Sequence, residues 1–331
     1  MPQLERIHAE LDAVFPHRHG THRRSTAVLL PCYNEAIAVG PVIAAFRAAL
    51  PDARIYVYDN NSTDGTREAA LAAGAIVHSE SYQGKGNVVR RMLADIDADI
   101  YVLADGDGTY DPAAAPMLIE TLIGRNLDMV VASRAPADAD GAFRRGHQAG
   151  NRFFNAVVAR LFGPGFSDIL SGYRVLSRRF AKSFPVTSSG FEIETELSVH
   201  ALDLKIATRE IPLAYGARPA GSFSKLRTYR DGWRILMTIL MLVKELKPLI
   251  FFGAIATALF ALAVILALPL ISTYFETGLV PRFPTAILVA AIMQLSFLSL
   301  ACGLILDSLS RARREAKRMR YLDLRAVADA D

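Results

Sequence analysis

The sequence predicts an α/β fold with a mixed, mostly parallel sheet flanked by helices, followed by an amphipathic juxtamembrane helix and two C-terminal transmembrane helices. Short apolar runs alternate with helical patterns between residues 27 and 104. Two later blocks, 249–271 and 285–306, contain no charged residue, and each matches the roughly 20 residues that cross a bilayer. The strand-like runs end in polar residues, which is where parallel sheets hold their ligands.

The first half of the chain contains most of the predicted sheet. Apolar runs that end in turn residues predict strands at 27–30, 54–58, 75–78 and 100–104. Helical patterns lie between them at 36–50, 66–73 and 86–95. A second region, 129–213, alternates less clearly, with candidate strands at 130–132, 174–176 and 206–211. We expect this region to complete the sheet.

The composition divides the chain into five segments. We expect a leader at 1–25, a soluble domain at 26–228, an amphipathic interfacial helix at 229–248, a membrane hairpin at 249–306 and a basic tail at 307–331. A helix that packs on the core is the alternative for 229–248. Two buried core helices are the alternative for the hairpin, but no soluble sequence remains to cover them. The stretch 217–227 is rich in Gly, Ser, Arg and Lys and predicts an exposed loop that closes over a ligand.

Charge and cysteine content indicate the expected cellular location and binding partners. Much of the net charge of +4 comes from the tail, which favours anionic lipid headgroups as partners and disfavours nucleic acid. Basic residues flank the hairpin on both sides, so both termini are expected in the cytosol, at the inner membrane. The N-terminal residues lack a signal-peptide pattern, so the C-terminal blocks are expected to drive insertion. Cys32 and Cys302 suggest no pairing and no metal site.

The strongest single motif is Asp105-Gly106-Asp107, directly after the predicted strand 100–104. Two neighbouring carboxylates repel each other unless a cation joins them. Oxygen ligands of this kind suit Mg²⁺ or Mn²⁺, whose remaining ligands are commonly substrate phosphates. We therefore expect Asp105 and Asp107 to hold a divalent metal. A polar turn is the alternative for an isolated Asp-x-Asp motif.

Several blocks in a fixed order surround this motif. The early ones are Pro31-Cys32-Tyr33-Asn34-Glu35, Asp59-Asn60-Asn61-Ser62-Thr63-Asp64-Gly65-Thr66 and Gly84-Lys85-Gly86-Asn87. The later ones are Ser133-Arg134, Asn151-Arg152, Asp168-Ile169-Leu170-Ser171-Gly172-Tyr173-Arg174, Phe191-Glu192-Ile193-Glu194 and Ser224-Lys225-Leu226. The early blocks resemble the inverting glycosyltransferases of family 2, which have the Rossmann-like GT-A fold. The later blocks look like the dolichol-phosphate mannosyltransferase and polyprenyl-phosphate glycosyltransferase branch.

The resemblance implies a nucleotide-sugar site at the ends of the early strands. Its implied members are Pro31, Tyr33, Glu35, Asp59, Lys85, Asp105 and Gly106. Lys85 stands between two glycines, where a cation can reach a diphosphate, although a plain loop lysine is the alternative. A helix cap for Asn34 and a strand-end turn for Asp59 are the structural alternatives. For Asp64-Gly65-Thr66 we favour a turn and a helix cap.

The resemblance also implies an acceptor site. Arg134, Arg152 and Lys225 are its candidates for binding the phosphate of the acceptor, and Arg144 and Arg145 are further ones. Surface solvation or lipid headgroup contact is the alternative for each. The stretch 135–146 predicts a mobile loop that orders with the acceptor.

The same resemblance assigns Asp168 to the catalytic set with Asp105 and Asp107. A phosphate acceptor is already anionic, so we expect Asp168 to position groups first and to abstract a proton second. Glu194 is expected to organise the loop around Arg174.

Three departures from the family pattern bear on function. Asp59-Asn60 stands where relatives often carry two acids, which leaves the selectivity for the base open. Thr109 follows the acid pair where some members carry a third polar group beside the metal. The Gln-x-x-Arg-Trp block of processive synthases is absent from the sequence, so polymer extrusion is disfavoured.

Together these observations imply a metal-dependent hexosyltransferase at the cytosolic membrane face. It would move a hexose from a nucleotide-sugar, UDP-hexose rather than GDP-mannose, to a polyprenyl (dolichyl or undecaprenyl) phosphate. Transfer to a lipid hydroxyl and a non-catalytic membrane scaffold are the alternatives. Membrane lipids are expected partners, and the spans could support a homo-oligomer.

Overall fold

The computed structural model of the protein describes residues 24–135, 145–163, 165–216, 218–219 and 228–327. The expected leader, except for its last two residues, lies outside this range. So do most of the expected mobile loop 135–146 and most of the expected closing loop 217–227.

A seven-stranded sheet forms the centre of the soluble part. Its strands are β1 (Thr26–Cys32), β2 (Arg54–Asp59), β3 (Ile76–Ser79), β4 (Ile100–Leu103), β5 (Met129–Ala135), β6 (Arg174–Ser177) and β7 (Thr208–Ala214). They are arranged in the order β3-β2-β1-β4-β6-β5-β7. Strand β6 runs antiparallel to both of its neighbours, whereas the other pairs are parallel. The prediction of a mixed, mostly parallel sheet is confirmed.

Helices flank the sheet and extend beyond it. They are α1 (Ala36–Ala49), α2 (Thr66–Ala72), α3 (Lys85–Asp95), α4 (Ala115–Gly124), α5 (Arg145–Phe162), α6 (Arg178–Ser183), α7 (Ile193–Asp203), α8 (Thr228–Leu246), α9 (Pro248–Thr277) and α10 (Phe283–Leu322). The predicted early elements agree with these bounds to within two residues. The expected strand 206–211 begins later and ends later, as β7.

The sheet separates two apolar cores because side chains alternate between the faces of a strand. In β1, Ala27 and Leu29 belong to a first core with α3, α6 and α7. Val28 and Leu30 belong to a second core with α1 and α4. The central strands are covered on both sides, as is usual for parallel strands.

Helix α8 has two apolar faces. Ile235, Ile239 and Val243 recur every four residues and are buried in the first core. Trp233 and Met241 lie on another face and are 62% and 57% exposed. The buried face agrees with the alternative of a core-packing helix. The exposed apolar face is the one that the prediction of an interfacial helix concerns.

Helices α9 and α10 are long and apolar enough to cross a membrane. Only 11% of the most apolar window in each helix is buried, which argues against the alternative of two buried core helices. The Ser296 and Ser299 hydroxyls donate to the carbonyls of Ala256 and Phe252, which joins the hairpin. Helix α10 continues without a break through residues 307–322, which the sequence suggested as a separate tail.

Candidate active site

The carboxyl ends of β1, β2 and β4 bring the early motifs together. Cys32 and Asp59 are register partners at the ends of β1 and β2. Pro31 lies within β1, and Tyr33 follows it with 39% of its surface exposed. The segment 105–107 follows β4, which pairs with the other side of β1. The sheet therefore gathers these residues at one edge, as parallel topology predicts.

The loop after β2 is shaped by its own polar side chains. The carboxylate of Asp64 accepts from the backbone N–H groups of Ala36 and Thr66, both at 3.1 Å. Gly65 has φ of +85°, in the left-handed region. The predicted turn is confirmed, and Gly65 is the N-cap residue of α2 without a side-chain cap hydrogen bond. The N-cap residue of α1 is Glu35, not Asn34, and the Asn34 amide oxygen accepts from Thr63 N at 2.8 Å.

Asp59 and Asn60 have different roles at the end of β2. Asp59 is buried, with Oδ2 accepting a hydrogen bond from Ser62 N at 3.4 Å. Its Oδ1 atom is buried and has no hydrogen-bond partner within the part of the chain that the structure describes. The Asn60 amide donates to the carbonyls of Glu80 and Tyr82, both at 2.9 Å. Asn60 is thus a structural link, which explains why this second position does not need an acid.

The acid pair is held by close packing and hydrogen bonds. A side chain at Gly106 would overlap the sulfur of Cys32, so this position requires glycine. Thr109 donates to Asp107 Oδ1 through its hydroxyl at 2.6 Å and its backbone N–H at 3.1 Å. Thr109, which stands where some family members carry a third polar group beside the metal, therefore orients Asp107.

Lys85 forms ion pairs with Asp105 and, at 2.5 Å, with Glu194. Its side chain is 9% exposed. Burial opposes its charge, but the two carboxylates outweigh burial and raise the pKa of Lys85. Burial also raises the pKa of Glu194, and Lys85 counteracts that shift. In this structure Lys85 is not a plain loop lysine but the counterion of two acids.

Glu194 contacts Arg174 through its backbone carbonyl, whereas its carboxylate turns to Lys85. The buried Arg174 guanidinium donates to the backbone carbonyls of Ser171, Ile169 and Glu194. These bonds are 2.9–3.0 Å long. Burial lowers the pKa of Arg174 to about 10. Arg174 is therefore the group that organises this loop.

The glycines beside Lys85 allow another segment to approach closely. A side chain at Gly84 would overlap the carbonyl of Ser189, and one at Gly86 would overlap that of Ser188. The 188–189 segment is fixed by the buried carboxylate of Glu196, which accepts from Ser188 N at 2.9 Å. Backbone proximity, rather than ligand contact alone, explains these two glycines.

Arg218 is a site residue that the sequence interpretation did not single out. Its guanidinium lies 2.5 Å from Asp107 Oδ2 and 3.3 Å from Glu35 Oε1. Burial and the neighbouring Asp105 raise the pKa of Asp107, and Arg218 opposes this shift. The residue lies in the expected closing loop, whose basic composition was the only available signal.

The chemistry of the acid pair fits a hard divalent cation. Within the described part of the chain, no group of three or more His, Cys, Asp and Glu side chains could hold a metal. Asp105 and Asp107 are two residues apart in one short segment after β4 and can both supply oxygen ligands. A cation held by one or two acids usually completes its shell with water and substrate phosphates. The pair therefore suits a metal that binds together with a diphosphate.

Asp168 forms a bidentate ion pair with Arg134. Arg134 Nε and Nη2 each donate at 2.7 Å, one to each carboxylate oxygen. Asp168 is buried, and the Arg134 guanidinium lies 5.6 Å from the centre of the Tyr215 ring. Glu210 accepts from the backbone N–H of Asp168 at 2.9 Å and fixes the loop. Both oxygens of Asp168 are thus engaged, which favours positioning over proton abstraction.

The other predicted acceptor residues are only partly described. Arg152 lies on α5, but its side chain falls outside the described part. The side chain of Arg145 does so too, and Arg144 and Lys225 lie wholly outside it. A surface cavity of about 470 Å³ lies elsewhere, beside Leu50, Pro51 and Pro116 near the amino end of β1. It contains none of the predicted site residues.

The fold and the acid pair define a glycosyltransferase of the GT-A type. The family model Glycosyl transferase family 2 matches residues 27–184. Glycosyltransferase AglJ of Haloferax volcanii is 38% identical over 245 residues, which cover 74% of this chain and 80% of AglJ. The chain belongs to glycosyl transferase family 2.

Further relatives carry more specific names. A dolichyl-phosphate hexose transferase of Haloferax volcanii is 29% identical over 66% of this chain and 94% of its own length. A polyprenol monophosphomannose synthase of Mycolicibacterium smegmatis is 26% identical over 59% of this chain and 79% of its own length. These relatives support the branch that the later motifs indicated.

Among solved structures, a glucosyl-3-phosphoglycerate synthase from Mycobacterium tuberculosis is similar with a TM-score of 0.53 and 25% identity. The match covers 70% of this chain and 82% of that one. That structure contains Mn²⁺, UDP-glucose and phosphoglyceric acid.

The ion pairs of Lys85 give a testable prediction. We expect Lys85→Met to lower the free energy of unfolding by about 3–5 kcal/mol, because it leaves two carboxylates without a buried counterion. Lys85→Met/Glu194→Gln should recover part of this loss. Denaturant unfolding of the detergent-solubilised protein measures both. Equal stability of Lys85→Met and the wild type would contradict the assignment.

Proposed function

We propose that this glycosyltransferase moves a hexose from a nucleoside-diphosphate sugar to a polyprenyl phosphate, with inversion at the sugar carbon. The observation that carries the proposal is the Asp105–Asp107 pair at the sheet edge, in a chain with two exposed apolar helices. The names of the dolichyl-phosphate and polyprenol relatives support the acceptor class. Transfer to a lipid hydroxyl is the second candidate.

The donor nucleotide is proposed to bind between the ends of β1 and β2. The buried, unpartnered Oδ1 of Asp59 is an acceptor suited to an N–H of the base or a hydroxyl of the ribose. Pro31 and Tyr33 would line this pocket beside Glu35. UDP-hexose is preferred over GDP-mannose, and the UDP-glucose of the similar solved structure supports this preference.

Asp105 and Asp107 would hold Mg²⁺ or Mn²⁺ together with the diphosphate. The metal would neutralise charge that develops on the leaving diphosphate. Lys85 pairs with Asp105 and Arg218 pairs with Asp107, so both side chains lie next to the position proposed for the diphosphate. Gly106 keeps this segment close to β1 and leaves room for the nucleotide.

The acceptor is proposed to approach from the Arg134 side. A phosphate monoester is already a nucleophile, so a single in-line displacement needs no enzyme base. Asp168 holds Arg134 in a fixed orientation through two hydrogen bonds. The Arg134 guanidinium would then contact the acceptor phosphate. Arg152 and Lys225 are proposed to complete the phosphate site.

The hairpin is proposed to cross the inner membrane with the catalytic domain and both termini in the cytosol. The basic residues that flank α9 and α10 favour this orientation. The exposed face of α8, with Trp233 and Met241, would lie at the membrane surface. Membrane lipids would then surround the lipid acceptor, and oligomerisation through the spans is compatible with this arrangement.

Transfer assays test the reaction class. We expect sugar transfer from UDP-glucose or a related donor to undecaprenyl phosphate in detergent with Mn²⁺ or Mg²⁺, and its loss with EDTA. Asp107→Ala should lower the rate at least 100-fold, because the developing charge is no longer neutralised. Asp97→Ala, which removes a carboxylate that is 65% exposed, is the matched control. Equal activity of Asp107→Ala and Asp97→Ala would refute the metal assignment.

The acceptor class can be tested at Asp168. A general base typically contributes 10²- to 10⁴-fold, so Asp168→Asn should reduce transfer to polyprenyl phosphate by less than about 100-fold. The residual loss reflects the weakened pair with Arg134. Initial rates with polyprenyl phosphate and with a lipid alcohol measure the difference. Near-complete loss with polyprenyl phosphate would show that Asp168 is a base.

A further inference from the structure

Helix α10 extends well beyond its apolar part. Its charge-free block ends at Leu306, directly before Asp307, and the helix ends at Leu322. At a rise of 1.5 Å per residue, these 16 residues reach about 24 Å past the apolar block. The headgroup region is only about 5–8 Å thick on each side. Most of this segment therefore lies beyond the lipid headgroups if α10 spans the membrane.

The extension contacts first the end of α8 and then the catalytic domain. Ser310 Oγ donates to the carbonyl of Leu246 at 3.3 Å. One turn later, Arg314 Nε donates to the buried Asp203 carboxylate at 2.9 Å. After a further turn, Arg318 Nη1 donates to the carbonyl of Leu204 at 3.0 Å. These three contacts follow one helix face at a spacing of four residues.

The extension ends on a buried carboxylate. Tyr321 donates its hydroxyl to Asp128 Oδ2 at 2.6 Å. Arg179 forms two bonds to the same carboxylate, at 2.6 and 2.8 Å, and its guanidinium lies 4.5 Å from the centre of the Tyr321 ring. The Asp128 side chain is 0% exposed. These donors, together with the Ser177 hydroxyl at 2.7 Å, stabilise the buried charge of Asp128.

The chain then crosses the edge of the sheet. Tyr321 belongs to the first core, whereas Val327 is buried in the second core on the opposite face. Asp128 directly precedes β5, and Arg134 lies near the other end of the same strand. The extension therefore binds the edge opposite the acid pair and leaves the candidate active site uncovered.

We propose that residues 310–327 form a strut that fixes the catalytic domain to the membrane hairpin, with Tyr321 and Arg314 as positioning residues. The positioning role rests on the proposed function, because it assumes a lipid-embedded acceptor. The strut itself does not. By holding the far edge of the sheet, it restricts rotation of the domain relative to the bilayer and keeps the catalytic edge in reach of the acceptor phosphate.

The basic residues of the tail fall into two groups, those that contact the protein and those that are exposed. Arg314 and Arg318 contact the protein, as described above, and Arg311 pairs with Asp307 at 2.6 Å. Arg313 and Arg320 are exposed. The interpretation of the whole tail as a headgroup-binding segment is therefore too broad. At about 10 Å past Leu306, Arg313 is the better placed of the two for anionic lipid.

Trypsin cleavage of the full-length protein in vesicles tests the strut without any activity measurement. The substrate bonds are those after the Arg and Lys residues of 311–320. Tyr321→Ala removes both a hydrogen bond to a buried charge and the packing of the Tyr321 ring, which together stabilise the docked segment. We therefore expect trypsin to cleave this variant at least tenfold faster than the wild type. Met319→Ala, which changes a side chain that is 61% exposed, should cleave at the wild-type rate. Equal rates for all three proteins would overturn the strut.

Kinetics with acceptor in vesicles of phosphatidylcholine and phosphatidylglycerol test the positioning role. Arg314→Ala should raise the KM for polyprenyl phosphate at least fivefold and leave the Kd for UDP unchanged. Arg313→Ala removes the same charge one residue away and should change neither. Equal effects of the two variants would show that the charge acts through lipid. Faster cleavage of Tyr321→Ala with an unchanged acceptor KM would overturn the positioning role but not the strut. Absence of transfer in the wild type would refute the proposed function, and the cleavage result would still test the strut.

Discussion

Four carboxylates and two cations form two neighbouring groups of ion pairs at the carboxyl edge of the sheet. Arg218 joins Glu35 to Asp107, and Lys85 joins Asp105 to Glu194. Buried carboxylates repel each other strongly at low dielectric, so this edge can form only with counterions in place. Much of the surrounding structure can be understood as support for those two cations.

The supports of Lys85 come from distant parts of the chain. Asn60 fixes the loop that leads to Lys85, because its amide oxygen accepts from Gly84 N at 2.7 Å. Glu196 fixes the 188–189 segment that packs on the flanking glycines. Gly172 completes the enclosure, since a side chain there would come within 2.7 Å of Asp105 Oδ2. Residues outside the proposed ligand contacts thus determine where the cation stands.

The sequence predicted what depends on local pattern. Strand and helix alternation, the acid pair after β4 and the two apolar helices follow from periodicity and from polar residues at strand ends. The turn at Asp64 was also predicted, because Asp-Gly has strong local preferences. The sequence did not predict Arg218 as a site residue, the ion pair between Lys85 and Glu194, or the docking of Tyr321 on Asp128. Each depends on contacts between residues far apart in the chain, which spacing alone does not encode.

Nucleotide binding tests the central claim, that the charged edge is a site for a divalent metal and a diphosphate. Isothermal titration of UDP and of GDP into the full-length protein in detergent, with Mn²⁺ and with EDTA, measures it directly. The account predicts one nucleotide site per chain, binding that requires Mn²⁺, and loss of this metal dependence in Asp107→Asn. Equal binding with Mn²⁺ and EDTA, or metal-dependent binding that survives in Asp107→Asn, would contradict it.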